Sequence, residues 1–312
     1  MYYICAVLTL LSLDIGATSY NYTKMWTYDD ERTWPGRKCK EGGRRQSPID
    51  IRTDDIIHDY NGVVIRYGTL TFTGYRGVLM TGINNGLTVQ FSTDGDTAIH
   101  PILSGGPLQH RYRLEQLHFH WLSEHAVNGR KFPMEIHFVH VRTDLTVEQA
   151  LKQKDGLAII AMFGNVQAVL NEDQEDRISE IMEVIPRLLH TGDRISGVLL
   201  NLMKLMSPNT EQYYTYFGSL TSPECNEVVI WIIFENPITI SDAQYRLFGK
   251  IGESRHNFRS LQPVMHHLVY KPRPASVWNT PYLVTAIHDF VDRVAQFFRN
   301  VTRFVKKEMI KP

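Results

Sequence analysis

Two short segments of the chain place histidines at a spacing that suits a metal site. His118 and His120 are two residues apart in an apolar run, and because strand side chains alternate between faces, both imidazoles point the same way. His137 lies in a second apolar run close behind, so the two strands can pair antiparallel and bring a third imidazole to the first two. Three imidazoles with one open position are a catalytic zinc ligand set, whereas structural sites are closed and rich in cysteine. The sequence therefore predicts a catalytic Zn²⁺ site on these three histidines.

Two polar residues on the same strand faces support this prediction. Gln116 and Glu135 each precede a candidate ligand by two residues, and a metal-bound histidine usually donates its second N–H to such an acceptor. A carboxylate on a buried strand face is costly without a partner, and a zinc-bound histidine supplies that partner. The alternative is that the histidines are ordinary core or surface residues and that Glu135 lies in solvent on an edge strand.

The segments that must hold these residues have the sequence pattern of strands. Runs of β-branched and aromatic residues, separated by Gly, Asn, Asp and Pro, predict strands at 63–67, 87–91, 117–121, 135–141, 157–163 and 228–234. Helical spacing of apolar residues is rarer and predicts short helices at 147–154 and 178–189. Because strands dominate and helices are scattered, the sequence predicts a β-dominated α+β fold.

The composition narrows the class of protein. The 312 residues are 43% hydrophobic and 21% charged, which is typical of a globular chain and argues against disorder. The 33 basic and 33 acidic residues balance, so the basic excess of a general nucleic-acid binder is missing and no nucleic-acid partner is expected.

The N-terminal residues have the pattern of a secretory signal. Residues 1–19 combine a short apolar run with small residues near a cleavage point; the alternative is a buried N-terminal segment. Outside that segment the chain has two cysteines, Cys39 and Cys225, and two cysteines in an oxidising compartment predict one disulfide. Asn21 and Asn300 begin glycosylation sequons. Together these features predict a secreted, extracellular glycoprotein.

Residues 276–312 have a different pattern from the rest of the chain. Apolar residues recur there every three to four positions, as in an amphipathic helix: Leu283, Ile287, Phe290, Val294, Phe297, Val301 and Phe304. The polar side is mostly basic, which excludes a transmembrane span. A helix of this kind packs on its own domain, lies on a membrane surface or forms a homodimer, and the first of these is favoured because surface helices ordinarily bury one apolar stripe.

Several ordered motifs resemble those of the α-class carbonic anhydrases, and the cysteines match the extracellular type. The motifs are RQSPID at 45–50, QLHFHW at 116–121, SEH at 123–125, EIHFVH at 135–140, GSLTSP at 218–223, NFR at 257–259 and QP at 262–263. The resemblance runs in order from about Trp26 to Pro272.

The resemblance implies a fold and an activity. The fold would be a single domain, at 20–275, around a large, twisted, mostly antiparallel sheet with short peripheral helices. The activity would be the reversible hydration of carbon dioxide to bicarbonate and a proton by a zinc-bound hydroxide. Sulfonamides and small anions would inhibit the enzyme, and a role in pH regulation would follow.

The resemblance also implies roles for individual residues. Thr221 and Glu124 would orient the hydroxide, and Asn257 would join Gln116 and Glu135 around the zinc ligands. The substrate would meet a wall formed by Val139, Ile159, Leu220, Thr221, Ser222 and Trp231. Trp26, Tyr28 and Trp34 would form an N-terminal aromatic cluster, and Cys39 and Cys225 would form the disulfide.

One position departs from the pattern of the family's fast members. Those enzymes carry a proton-shuttle histidine after an Asn-Asn-Gly turn, whereas this chain has Leu87 after Asn84-Asn85-Gly86. Because leucine cannot carry a proton, we expect slower proton transfer. Two alternatives remain at this stage: a non-catalytic binding relative, and a zinc esterase that uses the same hydroxide.

Overall fold

The structure is a computed structural model that describes residues 26–58, 69–93, 100–172, 174–207, 209–251 and 256–272, together with Val294. The predicted signal segment, the sequons at Asn21 and Asn300, the predicted strand at 63–67 and, apart from Val294, the C-terminal segment 276–312 lie outside the described residues. Within the described part of the chain, no helix has the length and apolar character that a membrane crossing requires.

Strands make up most of the regular structure. They are β1 Asp50–Ile51, β2 Ile57–His58, β3 Leu70–Thr73, β4 Val78–Asn84, β5 Val89–Thr93, β6 Ile102–Gly105, β7 Tyr112–Trp121, β8 Ala126–Val127, β9 Arg130–Lys131, β10 Met134–Arg142, β11 Leu157–Gln167, β12 Arg194–Leu200, β13 Tyr213–Gly218, β14 Val229–Ser241 and β15 Tyr270–Lys271. The described α-helices are Arg37–Glu41, Val147–Ala150, Ser179–Val184, Leu202–Leu205 and Asp242–Phe248, and the 3₁₀ helices are Glu31–Thr33, Thr53–Asp55 and Ile185–Arg187.

Twelve of the described strands form one sheet. Its main path runs β12-β4-β5-β7-β10-β11-β14-β13-β15-β2, and β3 and β6 join it beside β7. Most neighbours are antiparallel, but β11 pairs with β14 in parallel, and so does β15 with β2. The predicted β-dominated α+β fold with a large, mostly antiparallel sheet is confirmed.

The two predicted helices are present but shorter than expected. The segment at 178–189 forms an α-helix only over Ser179–Val184 and continues as the 3₁₀ helix Ile185–Arg187. Pro186 lies in this second helix, and a proline cannot donate the i to i−4 hydrogen bond that would extend the α-helix. The segment at 147–154 is helical over Val147–Ala150 and is followed by turns.

The central strands separate two environments by simple alternation. Leu117 and Phe119 of β7 and Phe138 of β10 face a large apolar core on one side of the sheet. The residues between them, including His118 and His137, therefore face the other side. The sheet thus fixes which side chains meet in the candidate site.

A disulfide and a group of aromatic rings hold the N-terminal segment on the sheet. Cys39 and Cys225 are joined by a disulfide, as the sequence predicts. Trp26, Tyr28 and Trp34 pack edge to face with ring centroids 5.0 to 5.6 Å apart. These residues and the disulfide also pack around the side chain at position 87, so the N-terminal segment closes one side of the candidate site.

Candidate metal centre

Three histidine side chains converge between the two central strands. In the antiparallel register of β7 and β10, His137 lies opposite His118, and His120 lies opposite Glu135. His118 Nε2 is 3.1 Å from His120 Nε2, which is 3.2 Å from His137 Nδ1. His120 and His137 are almost fully buried. The structure brings together the three residues that the sequence spacing selects.

The outward nitrogen of each ring faces a hydrogen-bond acceptor. His118 Nδ1 is 2.8 Å from Gln116 Oε1, and His137 Nε2 is 2.7 Å from Glu135 Oε1. His120 Nδ1 faces the main-chain carbonyl of Asn257, whose side-chain oxygen accepts a hydrogen bond from the Trp121 N–H. Each outward nitrogen therefore carries the ring proton. Asn257 accepts the hydrogen bond of His120 through its main-chain carbonyl, a role that its residue type does not reveal.

This arrangement provides a test of whether the site fits a cation. With the outward nitrogens protonated, the inward nitrogens of the neutral rings present only lone pairs to one another. Three lone pairs about 3 Å apart repel unless a cation lies between them. His118, His120 and His137 are also the first of two groups in the described residues whose geometry suits a metal ion. The residues present therefore fit a nitrogen-ligated ion such as Zn²⁺.

Electrostatics keep two of these rings neutral and one carboxylate charged. Burial, with additional repulsion from the neighbouring rings, lowers the pKa of His118 well below its usual value, and burial also lowers the pKa of His120. Burial alone would raise the pKa of Glu135, but electrostatic attraction to His125 and the hydrogen bonds from His125 and His137 outweigh it and hold that pKa well below the usual range. Neutral imidazoles next to an ionised acceptor are suited to metal binding.

Glu135 also binds a fourth buried histidine, for which the sequence predicted no role. Its two carboxylate oxygens accept hydrogen bonds from the main-chain N–H of His125, at 2.9 Å, and from the ring Nδ1, at 2.7 Å. The second ring nitrogen of His125 is 2.8 Å from the Tyr216 hydroxyl. His125 and Glu135 form, together with His137, the second group whose geometry suits a metal ion. The ring nitrogens of His125 and the carboxylate oxygens of Glu135 are already hydrogen-bonded, so the group of His118, His120 and His137 is the better metal site.

Glu124 is buried beside the three histidines. One of its carboxylate oxygens accepts a hydrogen bond from the main-chain N–H of Arg259 at 2.8 Å, a contact between distant segments that was not predicted from the sequence. The other, Oε2, is 3.6 Å from His120 Nε2 and 3.9 Å from His137 Nδ1, and it has no hydrogen-bond partner. A buried carboxylate oxygen without a donor is costly, so this atom marks a place for a hydroxyl or water donor.

A cleft opens above the histidines, and the residues predicted for the substrate wall border it. Val139, Ile159, Leu220, Thr221 and Ser222 line the cleft, and so do Gln116, His118 and His137. Trp231, the remaining residue of that predicted wall, is fully buried and is not among the described residues that line the cleft; its ring lies 5.0 Å from the His137 ring. Its indole N–H donates to the main-chain carbonyl of Ser219, so it supports the segment that carries Leu220 and Thr221.

Leu87 borders the same cleft. Its side chain is buried against the aromatic cluster of Tyr28 and Trp34, and it borders the cleft together with Trp26 and Asn85. Its main-chain carbonyl accepts a hydrogen bond from the Asn257 side chain, which fixes the turn. The position therefore faces the site but carries no titratable group.

A large sheet whose central strands bring three imidazoles together beside a cleft has the arrangement that suits a metalloenzyme with three histidine ligands. The family model of the eukaryotic-type carbonic anhydrases matches residues 29–273. The chain belongs to this family, whose reaction is the hydration of carbon dioxide.

Individual relatives agree with the family match. A putative carbonic anhydrase 5 of Caenorhabditis elegans is 35% identical over 264 residues, which cover 79% of this chain and 82% of the relative. Human mitochondrial carbonic anhydrase 5B is 32% identical over 281 residues, with 80% and 84% covered. Human carbonic anhydrase 12 is 31% identical over 268 residues, with 78% and 72% covered.

Proposed function

We propose that this enzyme hydrates carbon dioxide with a Zn²⁺ ion held by His118, His120 and His137. The observation that carries the proposal is the convergence of one nitrogen from each of the three rings. The other nitrogen of each ring faces a hydrogen-bond acceptor. In carbonic anhydrases, the reference case for this effect, zinc lowers the pKa of its water from about 15.7 to about 7 and so supplies hydroxide at neutral pH.

Thr221 and Glu124 are proposed to orient the nucleophile. Glu124 is buried, and its free oxygen can only accept a hydrogen bond while the carboxyl is ionised. Thr221 borders the cleft, and a hydroxyl that donates to a carboxylate has its lone pairs left to accept a hydrogen bond from the nucleophile. This direction leaves an oxygen lone pair free to point at the substrate. The unpartnered atom of Glu124 supports the assignment.

The apolar side of the cleft suits the substrate. Carbon dioxide is small and carries no net charge. It is therefore expected to bind to an apolar surface, from which water is easily displaced, rather than to a charged group. Val139, Ile159 and Leu220 provide such a surface next to the candidate ligand His137. We propose that carbon dioxide binds between these side chains and that bicarbonate, which is charged, leaves toward solvent.

Proton release is proposed to limit turnover. Reprotonation occurs at no more than roughly 10⁹–10¹⁰ M⁻¹s⁻¹. With an acid constant of about 10⁻⁷ M, unaided proton loss is limited to roughly 10²–10³ s⁻¹. Apart from the candidate ligands, Tyr28 is the only titratable residue among the described residues that line the cleft, and burial raises the pKa of its phenol well above its usual value. We therefore expect buffer molecules to carry the proton.

Secretion is part of the proposal. The Cys39–Cys225 disulfide supports it because disulfides persist in oxidising compartments. The signal pattern at residues 1–19 and the sequons at Asn21 and Asn300 agree with this location. Sulfonamides, which present an ionisable nitrogen to zinc, and small anions are the expected inhibitors.

Stopped-flow carbon dioxide hydration by the purified protein tests the proposal. We expect hydration that disappears after chelation, returns with one equivalent of Zn²⁺, and increases with added imidazole buffer. Ester hydrolysis measured on the same samples should be far slower than hydration. A preparation that stays fully active after thorough chelation, or one that binds zinc but shows no hydration, would contradict it.

A further inference from the structure

A short part of the N-terminal region has a high density of positive charge. Residues 37–45, here called the basic segment, contain five cationic side chains and one carboxylate, Glu41, a net charge of +4 in a chain whose formal net charge is zero. The cationic residues are Arg37, Lys38, Lys40, Arg44 and Arg45. The catalytic proposal uses none of them.

The basic segment is fixed to the body of the protein. Cys39 is disulfide-bonded to Cys225, which places the helix Arg37–Glu41 on the segment that follows Thr221. Glu227 accepts hydrogen bonds from Lys38 Nζ at 3.0 Å and from the Arg45 N–H at 2.7 Å. The cations are therefore presented on a fixed backbone, which reduces the entropy lost when they bind a partner.

Gly43 allows the turn between the helix Arg37–Glu41 and Arg44 to lie against Glu227. A Cβ atom at Gly43 would lie 1.8 Å from Glu227 Oε1, so no larger residue fits without displacing that side chain. Arg44 follows directly and is exposed. Because four residues span at most about 14 Å, Arg44 and Lys40 lie within one short stretch of surface.

Most of these cations lack a strong partner. Lys38 is paired with Glu227, but Arg37 is 3.9 Å from Glu41, and both of those side chains are largely exposed, so that pair contributes little. Lys40 and Arg44 are exposed and have no ion pair among the described residues. Three exposed cations are thus available to a negatively charged partner.

We propose that the basic segment binds a sulfated polysaccharide of the extracellular matrix. Clusters of Lys and Arg of this length are typical of heparin-binding patches as well as nucleic-acid-binding ones. The basic segment contains no aromatic residue on which a base could stack. Its helix Arg37–Glu41 is charged at every position except the disulfide-bonded Cys39, so it has no apolar face that could enter a membrane. The disulfide at Cys39 places it outside the reducing cytosol, so this partner rests on the secretion proposed above.

Heparin, the probe for such a polysaccharide, tests the inference on the purified full-length protein. The test variant is Arg37→Gln/Lys40→Gln/Arg44→Gln. The matched control, Arg187→Gln/Arg194→Gln/Lys250→Gln, removes the same charge from exposed residues elsewhere. Affinity is measured between about 50 and 200 mM salt, the range in which polyanion binding weakens steeply. Carbon dioxide hydration by both variants should equal that of the wild type, which confirms folding independently of heparin binding.

The expected result is salt-dependent heparin binding by the wild type and the control, with at least tenfold weaker binding by the test variant. The slope of log affinity against log salt should fall by about two, at roughly 0.7 for each of three lost contacts on a single-stranded polyanion. No heparin binding by the wild type, or equal loss in both variants, would overturn the inference. Displacement of heparin by single-stranded RNA or by phosphatidylserine vesicles at equal charge concentration would overturn the choice of partner. Because hydration is measured separately, failure here leaves the catalytic proposal intact.

Discussion

Two sets of histidines lie on or beside the two central strands and differ in one respect. His125 and His140 have both ring nitrogens occupied: His125 by Glu135 and Tyr216, and His140 by the Tyr75 hydroxyl at 2.6 Å and the Ala158 carbonyl at 3.2 Å. His118, His120 and His137 each have one nitrogen on an acceptor and one aimed at the other two rings. Four of these five rings are buried and His118 is partly exposed, but only the second set has ring nitrogens whose lone pairs accept no hydrogen bond from a neighbouring group.

The difference shows what distinguishes a ligand histidine from a structural one. A buried polar atom without a partner is costly, so a fold that only needed a polar core would satisfy both nitrogens, as it does at His140. Three nitrogens left unsatisfied at one point are stable only when something outside the chain satisfies them. The two sets of histidines should therefore respond differently to substitution and to pH.

The largest effect is expected for a candidate ligand. His137→Ala should lose stoichiometric zinc and reduce carbon dioxide hydration by at least a thousandfold, because without the ion water ionises with a pKa of about 15.7 instead of about 7. His140→Gln, three residues along the same strand, should keep both zinc and hydration in the folded protein. Metal analysis and stopped-flow hydration on both variants provide the check. Equal zinc content in the two variants would end the distinction between the two sets.

The second effect concerns the residue that both sets share. Glu135 accepts from His125 and from His137, and an amide at this position would present a donor to one of them. Glu135→Gln should therefore weaken zinc affinity by about 10- to 100-fold, the usual range for partners of metal-bound histidines. Glu115→Gln, whose carboxylate pairs with Arg113 instead, is the matched control. Zinc competition against a calibrated chelator would measure both, and unchanged affinity in Glu135→Gln would show that His137 does not depend on this acceptor.

Much of the metal site was predictable because it depends on period-two alternation along single strands. That rule placed His118 and His120 on one face, put Gln116 and Glu135 beside the ligands, and needed only an antiparallel neighbour to add His137. The structure has each of these contacts. Local spacing is a reliable guide where the interacting residues are two positions apart on the same strand.

The parts that the sequence did not predict are contacts between distant segments or through the main chain. The hydrogen bond of His120 goes to the Asn257 carbonyl, which any residue type would provide. Arg259 stabilises Glu124 through its N–H rather than its guanidinium, and the residues are 135 positions apart. The pairing of His125 with Tyr216 spans 91 positions. The parallel pairing of β11 with β14 also depends on the whole sheet, because each strand has the same alternation in either direction.

A third effect separates the sets by pH. Burial lowers the pKa of His140 from its usual 6.5 to about 4. The unfolded chain takes up a proton near pH 6.5 and the folded chain does not, so this stabilisation is present above pH 6.5 and is lost as the pH falls toward 4. A difference of about 2.5 units corresponds to about 3 kcal/mol.

Urea unfolding of the wild type and His140→Gln between pH 7.5 and 4.5 measures this contribution. The free energy of unfolding of the wild type should fall more steeply than that of the variant, by about 2.5 kcal/mol over the window, since both proteins share every other titrating group. Parallel stability curves would mean that His140 is protonated in the fold and that its hydrogen bonds differ from those described.

The smallest effect is expected for Leu87, a residue that borders the cleft but is not a candidate ligand. Leu87 borders the cleft and is packed against Tyr28 and Trp34, so a histidine there would face the site within a fixed turn. In weak buffer, Leu87→His should raise turnover by about tenfold, because an imidazole with a pKa near 6.5 can accept the proton that otherwise waits for buffer. Leu87→Asn is the control: it is polar and of similar size but does not titrate.

The dependence on buffer decides between this explanation and a change in cleft shape. As imidazole concentration rises, the turnover of Leu87→His and of the wild type should converge, because added buffer replaces the missing group. A general effect on the cleft would instead keep the two rates apart at every concentration and would appear in Leu87→Asn as well. Unchanged turnover of Leu87→His in weak buffer would show that proton release does not limit this enzyme. The rate would then be set by the reaction at the site of His118, His120 and His137.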